Sequence, residues 1–193
     1  MSETTQASET VTSEQQTAQA PAENTNRKQP FPKGFLETIS TGWAERPDLT
    51  PPQRAQAPYA AARRDAVSAA FPGKRLVIPA GSYKQRSNDT DYPFRAHSAF
   101  AHLTGLGSDR EPDAVLVLEP TDSGHEAVLY FRPLAGRDTE EFFGDSRYGE
   151  FWVGARPSLD DIEAELGLSA RHIDELPDAL AKDAGSVSLA VVR

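Results

Sequence analysis

A short apolar run near the middle of the chain limits the possible folds more than any other feature. Residues 114–118 are all apolar, so a strand built from them would have no polar face to turn toward water. Such a strand must be covered on both sides, which is typical of a sheet that lies between helices. The segments 75–79 and 125–131 also predict strands. The turn residues 122–124 predict a hairpin that joins the central strand, 113–119, to the next one.

Helix signals precede these strands. Thr50 is followed by two prolines, which predicts a helix start, because Thr is a common N-cap and Pro is tolerated in the first turn. Residues 59–71 predict an Ala-rich helix that ends at a Pro-Gly pair. The apolar face predicted for this helix consists of Tyr59, Ala62, Ala66, Ala69 and Ala70.

A capping-box pattern marks a helix in the C-terminal third. Ser158 is the predicted N-cap, Asp161 occupies the third helical position, and Gly167 ends the helix after Leu166. Residues 175–184 predict a further helix.

Two more segments predict strands and complete the sheet. They are residues 99–104 and residues 187–192. The order of elements therefore predicts an α/β domain with a mixed β-sheet flanked by helices. Because the last predicted core strand reaches the final residue, the chain is expected to be a piece of a longer protein.

The composition excludes several classes of protein. The net charge is −9, whereas binding to nucleic acid phosphates needs clustered Lys and Arg. The adjacent Arg63 and Arg64 are interpreted as a solvated helix face. No apolar run approaches the ~18 residues that span a membrane, and the N-terminus lacks the features of a secretory signal. Cysteine is absent, which excludes thiolate chemistry and favours a cytoplasmic protein.

The chain is expected to divide into three parts. Residues 1–34 are predicted to be a disordered acidic tail, because residues 2–26 contain four Glu, no basic residue and almost no large apolar side chain. Residues 35–58 are interpreted as a strap over a surface with a short helix. Residues 59–193 are interpreted as the folded domain.

A polar and aromatic loop directly precedes the central strand. Within twelve residues it combines two Arg, two Asp, two aromatic residues and a His. Such a mixture predicts an ordered loop held by Arg–carboxylate pairs, which is where recognition or assembly usually occurs. Its candidate residues are Arg86, Asp89, Tyr92 and Arg95, and Arg86 is expected to pair with Asp89 or another carboxylate.

Tests for catalytic chemistry find no complete active site in the sequence. His97 and His102 are five residues apart without the spacing of a zinc helix, and the nearby Asp residues have Arg neighbours that favour ion pairs. His102 is interpreted as a packed or edge histidine of the strand 99–104. Ser98 follows His97, but adjacent strand residues point to opposite faces, so they are not expected to form a dyad.

The segment from Arg86 to Glu119 strongly resembles the N-terminal domain of aminopeptidase P, the Xaa-Pro aminopeptidase family. The shared positions are Arg86-Ser87, Asp89, Tyr92, Phe94-Arg95, Ser98, Phe100, Leu103-Thr104-Gly105-Leu106 and Glu111-Pro112-Asp113-Ala114-Val115-Leu116-Val117-Leu118. Phe151-Trp152-Val153-Gly154 with Arg156 resembles the family's W-x-G segment more weakly. The segments before residue 50 resemble the actinobacterial form. His102, where relatives often have an aromatic residue, and a longer turn after Gly105 are departures.

The resemblance implies a fold, an activity and a missing part. The fold would be that of the creatinase and aminopeptidase P N-terminal domains. A separate pita-bread domain would hold two Mn²⁺ ions and release an N-terminal residue that precedes proline. All of its metal ligands would lie beyond this chain, so no catalytic residue, metal ligand or cofactor is expected here. The implied partners are proline-containing peptides and further copies in a homo-oligomer, a dimer or tetramer.

The resemblance also assigns roles to individual residues. Trp152 matches a Trp that reaches toward the mouth of the active site, where a rigid aromatic side chain can pack on a proline ring. Asp89, Tyr92 and Arg95 match motif positions that hold the loop and its interfaces rather than perform chemistry. Two alternatives stay open: a stand-alone binding or assembly module without peptidase activity, and the N-terminal domain of a prolidase or creatinase-like enzyme.

Overall fold

The computed structural model of the chain describes residues 31–46, 50–88, 90–107 and 110–192. Within them the α-helices are α1 (Lys33–Ile39), α2 (Ala57–Ala70), α3 (Ser98–Thr104), α4 (Glu140–Gly144), α5 (Glu150–Val153), α6 (Leu159–Leu166) and α7 (Leu176–Ala181). A 3₁₀-helix, Ile173–Glu175, precedes α7. The strands are β1 (Arg75–Pro79), β2 (Val115–Thr121), β3 (Gly124–Phe131), β4 (Ser169–His172) and β5 (Leu189–Val191).

The five strands form one mixed sheet in the order β4-β3-β2-β1-β5. The pairs β1–β2 and β2–β3 are antiparallel, whereas β1–β5 and β3–β4 are parallel. The predicted α/β fold with a mixed sheet and flanking helices is therefore confirmed. The predicted hairpin is also confirmed, because Thr121 pairs with Gly124 at its tip.

The central strand β2 is covered on both faces, as its apolar run predicts. Leu116 and Leu118 belong to the larger core cluster, to which α3 and α6 also contribute. Val117 points to the other side and belongs to a smaller cluster with Tyr130 and, from α7, Leu176. All three β2 side chains are at most 1% exposed. Burial on both faces is the reason that the strand needs no polar side.

The predicted capping box at the start of α6 is confirmed. The Ser158 side chain accepts a hydrogen bond from the backbone N–H of Asp161, whose carboxylate accepts one from the N–H of Ser158. Gly167 ends the helix in the left-handed conformation, with φ 65°. These local signals act within a few residues, so they persist in the folded chain.

The predicted helix start at Thr50 is wrong. Residues 50–54 are not helical, and the N–H of Arg54 donates to the carbonyl of Glu165 at the end of α6. A residue before proline is disfavoured in the helical region, and two consecutive prolines extend this restriction. The helix α2 begins instead at Ala57, with Pro58 in its first turn.

The apolar face predicted for α2 is also wrong. The helix buries Ala57, Ala60 and Arg64, whereas Tyr59 is 68% exposed. An Ala-rich helix has little contrast between its faces, so its orientation is set by its partners. Arg64 donates to the carbonyl of Leu103 at 2.8 Å, so it is not the solvated residue that the sequence predicts. The exposed Arg63 likewise donates to the neighbouring α3 carbonyl, at 3.0 Å.

The segment predicted as strand 99–104 is the helix α3. Phe100, Leu103 and Thr104 are buried at helical spacing, and Gly105 ends the helix with φ 77°. The arginines of α2 bind its last carbonyls, which a helix of this length leaves without partners. His102 is consequently an exposed helix residue rather than a packed or edge strand residue. His97 is the N-cap of α3, so the strand argument about Ser98 does not apply.

The two edge strands of the sheet, β4 and β5, differ most from the predicted strands. The sequence does not predict β4, which is four residues long and buries only Ala170. The C-terminal strand is shorter than predicted and lies at the sheet edge, where Leu189 and Val191 are 45% and 53% exposed. Residues 1–30 of the predicted tail lie outside the described residues, whereas its last two residues, Lys33 and Gly34, belong to α1. Among the described residues, no helix is long and apolar enough to cross a membrane.

Candidate functional site

Two short helices, α4 and α5, hold Trp152 at the surface. They approach so closely at Gly149 that a Cβ atom there would lie 2.6 Å from the carbonyl oxygens of Phe142 and Asp145. Only glycine avoids this overlap. The Trp152 indole Nε1–H donates to the carbonyl oxygen of Phe143 at 2.7 Å, which fixes one edge of the ring. More than half of the residue is still exposed to solvent.

Trp152 belongs to an exposed aromatic surface. Phe151, Trp152 and Val153 are 47%, 55% and 44% exposed, and we call them the α5 surface. The rings of Phe151 and Trp152 meet edge to face, with centroids 5.4 Å apart. Contiguous exposed apolar side chains of this kind mark places where a protein contacts a ligand or partner.

A buried polar network lies beside these helices. Glu111 and Asp113 have positive φ angles, 53° and 62°, although neither is glycine. The Glu111 carboxylate pairs with Arg156 at 3.3 Å, and the Tyr148 hydroxyl donates to Asp113. Such conformations persist only where surrounding contacts determine them. The network therefore holds the turn before β2 against the segment that carries α5.

Arginine side chains enclose Tyr148 within this network. The guanidinium carbons of Arg132 and Arg156 lie 4.7 and 5.3 Å from the centre of its ring. Burial raises the pKa of Tyr148, and its hydrogen bond to Asp113 acts in the same direction. The hydroxyl therefore stays protonated and serves as a hydrogen-bond donor, not as a base.

Burial raises the pKa of Glu111 above its ordinary value. The charges of Arg156 and Arg110 act in the opposite direction but are the smaller effect. The side chain of Glu111 is only 5% exposed, so its charge loses most of its hydration on folding. Loss of hydration therefore raises the pKa of this carboxyl group, and attraction to the arginines lowers it by a smaller amount.

We expect Glu111→Gln to change how stability depends on pH. The folded chain keeps the Glu111 proton to higher pH than the unfolded chain, so wild-type stability falls as the pH rises from about 4.5 through the raised folded-state pKa. Urea unfolding at several pH values would measure this for both proteins. Relative to the variant, the wild type should lose stability across that interval. A difference between them that does not vary with pH would contradict the assignment.

The loop residues predicted from the sequence are not all brought together. Asp89 lies outside the described residues, so its expected pairing with Arg86 stays a prediction. Arg86 and Arg95 are exposed, and among the described residues neither side chain has an ion pair. Tyr92 is 55% exposed.

One loop carboxylate does bind an arginine. Asp91 pairs at 3.5 Å with Arg147, whose guanidinium lies 5.5 Å from the centre of the Tyr83 ring. The loop thus contacts the segment between α4 and α5 through Arg147. Among the described residues, no hydrogen bond, ion pair or ring contact joins Trp152 to Tyr92 or Arg95.

The sequence did not single out Arg147, Tyr148 and Arg132 as members of one site. Tyr148 binds Asp113, which is 35 residues away along the chain, and Arg147 binds Asp91 in the loop before α3. The density of charged and aromatic residues in 138–148 was the available signal, but it did not identify the partners. Among the described residues, no group of three His, Asp or Glu side chains could hold a metal ion. None of them is therefore assigned as a ligand of the expected Mn²⁺ ions.

A comparison with protein families identifies the domain. The family model described as "Aminopeptidase P, N-terminal domain" matches residues 60–192. This chain belongs to that family. The expectation raised by the 86–119 motif is confirmed, and the match covers the whole sheet from β1 to β5 together with most of α2.

Similar proteins support the same family. Xaa-Pro aminopeptidase 2 of Streptomyces coelicolor is 51% identical over 138 residues, which is 70% of this chain and 28% of that protein. Xaa-Pro aminopeptidase 1 of the same organism is 47% identical over 155 residues, 79% of this chain and 30% of that protein. The chain thus spans less than a third of the length of these relatives.

A solved structure has the same domain fold. Aminopeptidase P from Escherichia coli, in its low pH form, superposes with a TM-score of 0.53 at 29% sequence identity. The superposition covers 67% of this chain and 27% of the E. coli chain. This chain therefore has the fold expected of an aminopeptidase P N-terminal domain.

Proposed function

We propose that this chain is the N-terminal, non-catalytic part of a Xaa-Pro metallo-aminopeptidase, which releases an N-terminal residue preceding proline. The identity of 51% to a Streptomyces Xaa-Pro aminopeptidase, over 138 residues of the domain, is the observation that carries the proposal. In this proposal two Mn²⁺ ions, held by a separate catalytic domain, would activate the attacking water. The chain would shape access to that site and contribute to oligomer contacts in the cytoplasm.

Within this proposal, the α5 surface is the part that meets substrate. Its Trp152 is more than half exposed, yet its indole N–H is fixed by Phe143, so the ring is presented in one orientation. A rigid aromatic ring loses little conformational entropy when it packs on a proline ring. Arg86, Asp89, Tyr92 and Arg95 are proposed to hold the loop and its interfaces. The residues before 59 are proposed to be a tail and a strap outside the domain.

A chimera tests the activity. The matching region of Streptomyces coelicolor Xaa-Pro aminopeptidase 2 is replaced by this chain, and release of the N-terminal residue from an Xaa-Pro peptide is measured with Mn²⁺ present. We expect the chimera to be active and the chain alone to be inactive. Hydrolysis by the isolated chain would contradict the proposal. For the prolidase alternative, the substrate panel is run on the full-length parent protein: cleavage of Xaa-Pro dipeptides but not of longer peptides would favour a prolidase.

We expect Trp152→Ala to raise the KM of this chimera for Xaa-Pro peptides by up to about tenfold and to leave kcat nearly unchanged. The reason is that an aromatic contact contributes roughly 0.5–1.5 kcal/mol of binding beyond the area it buries. Steady-state kinetics measure the effect. Tyr59→Ala is the control, because it removes another exposed aromatic side chain, on α2. An unchanged KM for Trp152→Ala would show that Trp152 does not contact the substrate.

A further inference from the structure

From here on, the name strap refers to residues 31–46 only, although the sequence predicted it over 35–58. These residues pack on α4 and α5 although they lie outside the family match, which begins at residue 60. The contacts are aromatic. Trp43 meets Phe142 and Phe151 edge to face, with ring centroids 5.3 and 6.2 Å apart. Phe35 meets Phe143 in the same manner at 6.3 Å. One strap residue therefore touches the α5 surface itself.

Polar contacts attach the end of the strap to the same place. Arg46 forms an ion pair with Glu150, the first residue of α5, and donates to the carbonyl of Ala135 at 3.3 Å. In the reverse direction, Arg137 donates to the carbonyl of Ala44. A groove of about 540 Å³ remains between the strap and α5. The strap is thus attached through its aromatic rings, through the Arg46 side chain and through one backbone carbonyl group.

Glu150 is the α5 residue that the strap binds through Arg46. Its side chain is only 9% exposed, and its second carboxylate oxygen accepts a hydrogen bond from the N–H of Arg156 at 2.7 Å. The carboxylate therefore spans α5, from its first residue to the chain that follows it. Without Arg46, a nearly buried carboxylate would lose its ion-pair partner, which is costly in the interior of a protein.

The helix α5 has little else to hold it. It is four residues long, and none of its residues is buried. A single helical turn does not form stably on its own, because nucleation of a helix is unfavourable. Its position must come from contacts, and among the described residues these include the strap, the Phe143 carbonyl, the Arg156 N–H and the close approach at Gly149.

We propose that the strap positions α5 and thereby the α5 surface, with Arg46 as the positioning residue. The assignment of this surface to substrate rests on the function proposed above; the positioning itself does not. The strap would then determine how well Trp152 is oriented, in a part of the chain that the family model does not include. In a chain without the strap, α5 would open locally while the sheet stays folded.

The first test is the Arg46→Ala variant of this chain. The protein has two Trp residues, so its two indole N–H signals can be assigned in an NMR spectrum with a Trp43→Phe variant. We expect hydrogen exchange of the Trp152 indole to become about tenfold faster, since the local opening is no longer opposed by the ion pair. Arg46→Lys keeps the charge and should recover most of the protection.

Arg54→Ala is the matched control. Arg54 pairs with Glu165 at 2.7 Å, and the two side chains are 26% and 12% exposed, compared with 29% and 9% for Arg46 and Glu150. It therefore removes an ion pair of similar burial that reaches α6 instead of α5, and Glu165 keeps its second partner, Arg110, at 3.2 Å. Its Trp152 exchange rate should match that of the wild type. Equal acceleration in Arg46→Ala and Arg54→Ala would overturn the positioning role.

Kinetics of the chimera separate this inference from the proposed function. Arg46→Ala should raise KM for an Xaa-Pro peptide without changing kcat, and should add nothing further when Trp152 is already Ala. If Trp152→Ala leaves KM unchanged, the substrate assignment fails, whereas the exchange experiment still decides the positioning role. If Arg46→Ala raises KM equally with and without Trp152, the strap does not act through Trp152 and the inference is overturned.

Discussion

Arg75→Ala is expected to lower the free energy of unfolding by about 3–5 kcal/mol, the usual loss when one partner of a buried ion pair is removed. The Arg75 side chain is 3% exposed, and its Nε–H is shared between the two carboxylate oxygens of Glu119, at 2.8 and 3.0 Å. It also donates to the carbonyl of Lys182 at 2.6 Å and, more weakly, to that of Leu180. One guanidinium therefore joins β1, β2 and the end of α7.

Urea unfolding followed by circular dichroism measures this loss. Arg171→Ala is the control, because its pair with Glu175 is exposed at 57% and 52% and should contribute less than about 1 kcal/mol. The double variant Arg75→Met, Glu119→Leu should recover much of the stability, since among the described residues the only charge it leaves without Arg75 is that of the half-exposed Asp183, 3.8 Å away in the wild type. A loss below about 1 kcal/mol for Arg75→Ala would show that the Arg75 guanidinium does not join α7 to the sheet.

Phe100→Ala is expected to cost about 3–5 kcal/mol as well, for a different reason. Its ring is fully buried in the main core, so truncation loses the transfer energy of the side chain and leaves a cavity. The midpoint of urea unfolding should fall while its slope stays the same.

The helix α3 supplies the control for this second variant. His102→Ala alters an exposed residue of the same helix and should change stability by less than about 0.5 kcal/mol. If 99–104 were a strand, residues 100 and 102 would share one face and both substitutions would be costly. Similar losses for Phe100→Ala and His102→Ala would therefore contradict the helix.

Local sequence patterns predicted the structure correctly where a few neighbouring residues determine it. The all-apolar run of β2, the hairpin turn before Gly124 and the Ser158 capping box each depend on neighbouring residues alone. The motif in residues 86–119 was sufficient to identify the family. For the candidate site, the motif indicated Trp152, whereas its exposure and its bond to Phe143 required the structure.

Other features depended on residues that are distant along the chain. The segment 99–104 is helical because Arg63 and Arg64 bind its last carbonyls and its apolar residues reach the core at helical spacing. No pattern within those six residues contains that information. The missed strand β4 is similar: it exists because it pairs with β3, since its own side chains have little apolar character.

The amino-acid sequence alone predicted the class of fold, the burial of the central strand on both faces and the family. Each of these follows from short-range apolar patterns or from a contiguous motif. The tertiary structure decided which face of α2 is buried, how Glu111 and Tyr148 find their partners, and why the strap lies on α5. These features arise from contacts between segments up to about a hundred residues apart, as in the pairing of Arg46 with Glu150. The free energy of such contacts belongs to the pair, so it is not visible in either segment separately.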